Sequence, residues 1–182
     1  MAYLFSIIIL CGFIYYFFFV RKRTTSQPVN NTISSDFDTN IYQDFRTLAF
    51  GLGQNNLPAP VKVIMEWELG NGMATMVCSS DGDAGIYLSN GTAIIGGAKH
   101  QNVRTLALKF VENASSFFKD ATQVKIFTLP ESGKVNLYRI DGDDKRIISE
   151  KVDLLQSGES SYNDLFKAGN YVLTEMRHVH GG

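Results

Sequence analysis

A long apolar run opens the chain, and short alternating or helical patterns separated by polar turns follow it. Residues 2–20 contain no charged side chain, and as a helix they would span about 28 Å, enough for the hydrocarbon core of a bilayer. This run predicts a transmembrane anchor over residues 1–20. A cleaved signal peptide is disfavoured because the basic residues come after the run and its aromatic end has no small-residue cleavage site. A lipoprotein is disfavoured because Leu10, not a small residue, precedes Cys11.

Basic residues set the predicted orientation of this anchor. Arg21, Lys22 and Arg23 flank its C-terminal end, and the positive-inside rule therefore places the N-terminus outside and the later residues in the cytoplasm. Glycosylation sequons would favour the opposite orientation, but the motif is so short that chance produces it in a chain rich in Asn, Ser and Thr. The sequons begin at Asn30, Asn90 and Asn113. We therefore predict a single-pass protein of the cell membrane with a cytoplasmic domain.

The pattern after the anchor predicts a tether followed by one domain. Residues 21–40 are polar and lack apolar periodicity, which is typical of a flexible tether. Residues 41–182 are then predicted to form a single domain of ordinary size. Its first helix has apolar residues at helical spacing, which predicts that they face inward. These residues are Ile41, Phe45, Leu48 and Leu52.

Alternating segments joined by Gly-Asn, Asp-Gly and Asn-Gly turns predict an antiparallel meander after that helix. The predicted strands are residues 61–69, 73–79, 86–88 and 92–95. A long amphipathic helix follows, and the residues of its apolar face are Val103, Leu106, Ala107, Phe110, Val111, Ala114, Phe117 and Phe118. The pattern then predicts a hairpin over 124–129 and 135–140, a strand near 146–152 and a helix over 161–177.

This order predicts an α+β fold with a mostly antiparallel sheet of about five to seven strands and two or three packed helices. In architecture the order resembles the roadblock/profilin-type sandwich, a sheet with helices packed on it. Residues 61–177 also carry the segments Met65-Glu66-Trp67, Met73 to Val77, Ser89-Asn90-Gly91, Ile95-Gly96-Gly97, Leu165-Phe166 and Ala168-Gly169. On these segments the domain resembles an uncharacterised bacterial family of small α+β domains. The resemblance implies one domain and no established activity.

Charge and cysteine content narrow the classes of function. The net charge is −1, and Lys and Arg cluster only at Arg21 to Arg23, so the footprint of nucleic-acid binding is missing. The cysteines, Cys11 and Cys78, lie in the apolar run and in a predicted strand, and they cannot build a disulfide framework.

The strongest candidate for ligand binding is the glycine pair between a predicted strand and the long helix. Gly96 and Gly97 would allow a phosphate to approach backbone N–H groups at a helix N-terminus, with Lys99 and His100 nearby. The segment matches neither phosphate-binding glycine motif, however. A tight strand-to-helix turn explains the same glycines and is the interpretation that we favour.

Metal sites and catalytic groups are not predicted. His178 and His180, with His100 or Cys78, could ligate a metal only if the C-terminal tail were extended, because positions i and i+2 of a helix face different ways. We expect solvated terminal histidines instead.

Two Asp-Gly segments and a pair of glutamates are predicted to have structural rather than functional roles. The segments starting at Asp81 and Asp141 have Thr92 and Val152 where a calcium loop needs a Glu, so they are predicted hairpin turns. The glutamates Glu66 and Glu68 are expected on the solvated side of the sheet, with Trp67 in the core. We predict no catalytic residue and no cofactor.

The sequence therefore favours a membrane-tethered, non-catalytic interaction module, a scaffold or adaptor. Its expected partners are the lipid bilayer, through residues 2–20, and a protein of unknown identity; a homodimer would suit such a module. The alternative is a sensor that binds a nucleotide or another anion at Gly96 and Gly97.

Overall fold

The computed structural model describes residues 39–51, 59–70 and 72–181, which form a sheet with helices on both of its faces. The helices are α1 (Thr39–Phe50), α2 (Gln101–Phe117), α3 (Val152–Ser157) and α4 (Asn163–Gly181). The strands are β1 (Lys62–Leu69), β2 (Gly72–Ser79), β3 (Ala84–Leu88), β4 (Ala93–Ile94), β5 (Thr122–Gln123), β6 (Lys134–Asp141) and β7 (Asp144–Lys151). The predicted α+β class is confirmed.

The sheet has seven strands in the order β4-β3-β2-β1-β6-β7-β5. Every pairing is antiparallel, and β1 lies at the centre, where Met65 is opposite Met76 of β2 and Leu137 of β6. The meander β1 to β4 is confirmed as predicted. The second hairpin, β6 to β7, joins the free side of β1 and brings the two halves of the domain into one sheet.

The first face of the sheet carries the main core and is covered by α2 and α4. Alternation along β1 points Val63 and Met65 to this face, where they pack against the apolar stripes of both helices. The buried helix residues are Val103, Ala107, Phe110, Val111, Ala114, Leu165, Val172 and Met176. The predicted apolar face of α2 is therefore confirmed, and α4 buries an apolar face of its own. Helix α4 runs past its predicted end to Gly181, and the short α3 was not predicted.

The second face of the sheet is covered by α1, with a different side of the helix inward from the predicted one. Ile41 and Leu48 are 41% and 57% exposed, and Phe45 is half-buried against Tyr87. The buried residues are Tyr42, Arg46, Ala49 and Phe50. The prediction was wrong because two of these inward side chains are polar, and their partners on the sheet compensate their burial. Leu52 lies outside the described residues.

The predicted strand over residues 124–129 was also wrong. The described residues 124–131 form no strand; of this stretch of the chain, only the preceding Thr122–Gln123 form a short strand, which pairs with the outer edge of β7. The carbonyl of Thr128 instead accepts hydrogen bonds from Tyr138 Oη at 2.6 Å and Asn136 Nδ2 at 3.2 Å. Since side chains of the second face satisfy this carbonyl, the segment runs over that face beside α1 and does not extend the sheet.

The predicted anchor, residues 2–20, and the tether up to residue 38 lie outside the described residues. Within the described ranges, no helix combines the length and the apolar character that crossing a bilayer requires. Helix α1 begins at Thr39, just before the predicted start of the domain.

Candidate functional site

The strand-to-helix turn brings the predicted ligand residues together at one corner of the domain. Gly96 has a φ of 85°, in the left-handed region, and the residues Gly97–Lys99 form one 3-10 turn before α2. Lys99 is exposed and His100 is half-buried at the N-cap of α2. The four residues are therefore neighbours, as the sequence predicted for a tight turn.

Close packing explains Gly97. A Cβ at this position would lie 2.8 Å from Val103 Cγ1, 2.9 Å from the Ala84 carbonyl oxygen and 2.9 Å from Met176 Sδ. Strand β3 and the two long helices therefore converge on this glycine, and any side chain would force them apart. Gly96 differs, because a Cβ there would meet the Lys99 side chain only at 3.9 Å.

Three backbone amides of the turn already have protein acceptors. The Ala98 N–H donates to Asp83 Oδ1 at 3.1 Å, and the N–H groups of Lys99 and His100 donate to the Gly96 and Gly97 carbonyls at 3.1 and 3.0 Å. A carboxylate from the β2–β3 turn thus occupies the position that a bound phosphate would take at the Ala98 amide. A ligand anion would have to displace Asp83 or bind beside it.

The aspartates that resemble a calcium loop belong to hairpin turns. Asp81 accepts hydrogen bonds from the Ser79 hydroxyl and the Asp83 amide, and the segment links β2 to β3. Asp141 and Asp144 are opposite each other where β6 turns into β7. The predicted hairpins are confirmed at both places.

The strongest electrostatic feature of the described domain is a buried ion pair between α1 and β1. Arg46 Nε donates to Glu66 Oε1 at 2.8 Å, and Arg46 Nη2 donates to Glu66 Oε2 at 2.9 Å. Glu66 is 0% exposed and Arg46 is 8% exposed. The expectation that Glu66 lies on a solvated side was therefore wrong, because α1 covers that side. Glu68 is exposed as expected, and Trp67 packs half-buried against the main core.

Further hydrogen bonds complete a polar cluster around this pair. The Thr75 hydroxyl donates to Glu66 Oε1 at 2.9 Å, and the hydroxyls of Tyr42 and Thr75 are 2.7 Å apart. Arg46 Nη2 also donates to the Phe127 carbonyl at 3.2 Å, which ties the crossing segment to α1. Every named group has a partner, as a buried charge requires.

The electrostatics of the cluster keep Tyr42 neutral and Arg46 charged. Burial raises the pKa of Tyr42, and the negative charge of Glu66 raises it further, so the phenol stays protonated. Burial by itself would lower the pKa of Arg46, but hydrogen bonds to Glu66 and the attraction of its charge outweigh burial, and the net pKa is raised. The cluster therefore holds one fixed charge pair, which suits docking of a helix better than acid–base chemistry.

Local sequence contained a weak signal for this cluster. Arg46 lies four residues after Tyr42, which places both on one helix face, and Glu66 interrupts an otherwise apolar strand. Opposite charges at inward positions of neighbouring elements indicate a buried pair. A search for apolar periodicity alone does not identify Arg46 or Glu66 as buried residues.

The C-terminal histidines lie on a helix rather than on an extended tail. His178 and His180 belong to the last turns of α4 and are exposed, and the ring of His180 contacts that of His100. The described ranges contain no group of three or more His, Cys, Asp and Glu side chains that could hold a metal ion. Cys78 is buried in the main core.

No protein-family model, curated protein or solved structure matches this chain.

Proposed function

We propose that this protein is a membrane-tethered, non-catalytic scaffold or adaptor module. Residues 2–20 anchor it in the cell membrane, with the N-terminus outside, and the domain works in the cytoplasm. The partners in this proposal are the bilayer and a protein whose identity is open. The observation that carries the proposal is the buried Arg46–Glu66 pair, because it joins the helix next to the tether to the centre of the sheet.

The Arg46–Glu66 pair fixes α1, the helix that follows the predicted tether, on the sheet. Helix α1 follows the predicted tether directly in sequence, and the pair binds it to β1, the central strand. A two-point hydrogen-bonded pair of charges adds geometric specificity to the apolar packing of α1 and so favours one register of the helix on the sheet. Because α1 stays in one position on the sheet, the domain offers a partner one defined surface, which is what a scaffold requires.

Topology is the first part of the proposal to test. A reporter active only in the cytoplasm should be active when it is fused after Gly182, and the protein should stay in the membrane pellet during alkaline extraction. Replacing Arg21, Lys22 and Arg23 by Gln should reduce the reporter activity, because the positive charges orient the anchor. Reporter activity outside the cytoplasm would contradict the proposed orientation.

Partner binding is tested by purification of the full-length protein in mild detergent after cross-linking in cells. A stoichiometric protein partner, or a cross-linked dimer of the chain, is the expected result. Recovery should fall in Arg46→Met, which loosens α1, and should persist in Lys109→Met, an exposed substitution on α2. A pure, uncross-linked monomer would argue against the scaffold.

The anion sensor at Gly96, Gly97, Lys99 and His100 stays a prediction with its own test. A panel of nucleotides, inorganic phosphate and sulfate should raise the melting temperature of the full chain, and Lys99→Ala should reduce the shift. Substitution of Gly97 would be a poor test, because a side chain there disrupts the packing of β3, α2 and α4. A flat response across the panel would remove this alternative. The likeness to roadblock/profilin-type sandwiches also stays a prediction, because it rests on the order of the elements.

A further inference from the structure

Two histidines from distant parts of the chain meet at the end of α4. The ring centroids of His100, at the start of α2, and His180, in the last turn of α4, are 4.9 Å apart, and the ring planes are inclined by 66°. His100 is half-buried and His180 is exposed, so the pair is open to solvent on one side. The pair lies beside the Gly96–Gly97 turn and outside the polar cluster under α1.

A hydrogen bond sets the tautomer of His180. Its Nδ1 lies 3.0 Å from the Met176 carbonyl oxygen. Since a carbonyl only accepts, Nδ1 carries the proton, and Nε2 of the neutral ring keeps its lone pair. Histidines that ligate metals characteristically donate their other ring N–H to a backbone carbonyl or a carboxylate, which orients the ring and strengthens the ligand nitrogen.

The ring separation matches that of two imidazoles on one metal ion. With metal–nitrogen bonds of about 2.0–2.1 Å and a tetrahedral angle, two ligating rings have centroids roughly 5 Å apart. The observed centroid distance of 4.9 Å is close to this value, so the two rings already lie at the spacing that a shared metal ion requires. The C-terminus of a helix carries partial negative charge, which favours a cation beside the last turn of α4.

The ligand atoms near the two rings limit which ions the site can bind. Lys99 and Arg177 are exposed and positively charged, so they are not metal ligands. The carboxylate of Glu175 already accepts a hydrogen bond from Asn102 Nδ2 at 3.1 Å. Hard cations such as Mg²⁺ and Ca²⁺ prefer oxygen ligands, whereas Zn²⁺, Ni²⁺ and Cu²⁺ accept imidazole nitrogen. The described residues offer no cluster of three ligands, so water would complete the coordination.

We propose that His100 and His180 bind one divalent transition-metal ion, with Nε2 of His180 and a ring nitrogen of His100 as the protein ligands. The ion would join the end of α4 to the start of α2 and so close the corner of the domain at the Gly96–Gly97 turn. The inference is independent of the scaffold proposal, because it concerns a different face and needs no partner.

The test uses the full-length protein in mild detergent, purified with a tag free of histidine and stripped with chelator. Zn²⁺, Ni²⁺ and Cu²⁺ at about a hundred times their Kd should raise the melting temperature by roughly 5 °C or more, and Mg²⁺ should not. Electron paramagnetic resonance of the Cu²⁺ form should show coupling to two imidazole nitrogens.

His178 provides a matched control, because it is exposed on the same helix, two residues before His180. His100→Ala, His180→Ala and the size-preserving His180→Gln should each remove the metal-dependent shift, and His178→Ala should keep it. A missing shift in the wild type would overturn the proposal. A shift that survives His100→Ala, or that is lost in His178→Ala, would assign binding to the helix end alone and would overturn it as well.

Discussion

Arg46 of α1 and Glu66 of β1 form a two-point ion pair in the interior of the domain. The two hydrogen bonds, Nε to Oε1 and Nη2 to Oε2, measure 2.8 and 2.9 Å. Removing both charges from water is costly, and the pair is tolerated because its geometry is bidentate and Thr75 supplies a further hydrogen bond. The pair therefore specifies how α1 docks more than it adds net stability.

Breaking the pair should strongly destabilise the domain. Arg46→Met leaves a buried carboxylate without a countercharge, and we expect a loss of about 3–5 kcal/mol in the free energy of unfolding. The double variant Arg46→Met/Glu66→Leu should recover much of this loss, because neither charge remains. Urea unfolding of the wild type and both variants measures the difference. A single substitution that costs less than about 1 kcal/mol would contradict the docking role.

Gly97 and Gly133 should respond differently to alanine. Gly97→Ala brings a Cβ to 2.8 Å from Val103 Cγ1 in the core, and overpacking of this kind costs about 1–3 kcal/mol or more. Gly133 has a φ of 75° with open space around it among the described residues, so Gly133→Ala should cost only the left-handed conformation, about 1 kcal/mol. Thermal unfolding of both variants gives the comparison. Equal losses would show that packing does not constrain Gly97.

Cys78 should be unreactive in the folded protein. Burial raises the pKa of its thiol, the negative charge of Asp83 raises it further, and the side chain has no access to solvent. In a Cys11→Ser background, a thiol reagent at pH 8 should label Cys78 only at the rate of unfolding, and quickly in denaturant. Stoichiometric labelling of the native protein within minutes would contradict the buried position.

Asp81 should contribute stability that disappears in acid. The hydrogen bond from the Ser79 hydroxyl lowers the pKa of Asp81, so the folded state favours the carboxylate more than the unfolded state does. The contribution is therefore fully present above about pH 4 and is lost as the pH falls through the lowered folded pKa. Ser79→Ala should destabilise the protein at pH 7, and the gap to the wild type should shrink below pH 4. A gap that is constant with pH would contradict this hydrogen bond.

Local patterns predicted most of the sheet and both long helices correctly, and the reason is physical. Helices α2 and α4 bury apolar side chains at helical spacing, and the strands of the meander end at Gly, Asn and Asp residues that suit tight turns. Such features depend on neighbours in sequence. The turn at Gly96 and Gly97 was predicted from such a local feature. The packing of Val103 and Met176 against Gly97 depends on the tertiary fold and was not predicted.

The sequence by itself determined the α+β class, the meander, the two amphipathic helices and the hydrophobic run on which the anchor prediction rests. Tertiary structure alone decided which side of α1 faces the sheet, that residues 124–131 cross its second face, and that His100 meets His180. In each case a polar side chain contacts a residue that is distant in sequence. Periodicity records whether a side chain is apolar, but the burial of Glu66 became favourable only when folding brought Arg46 beside it.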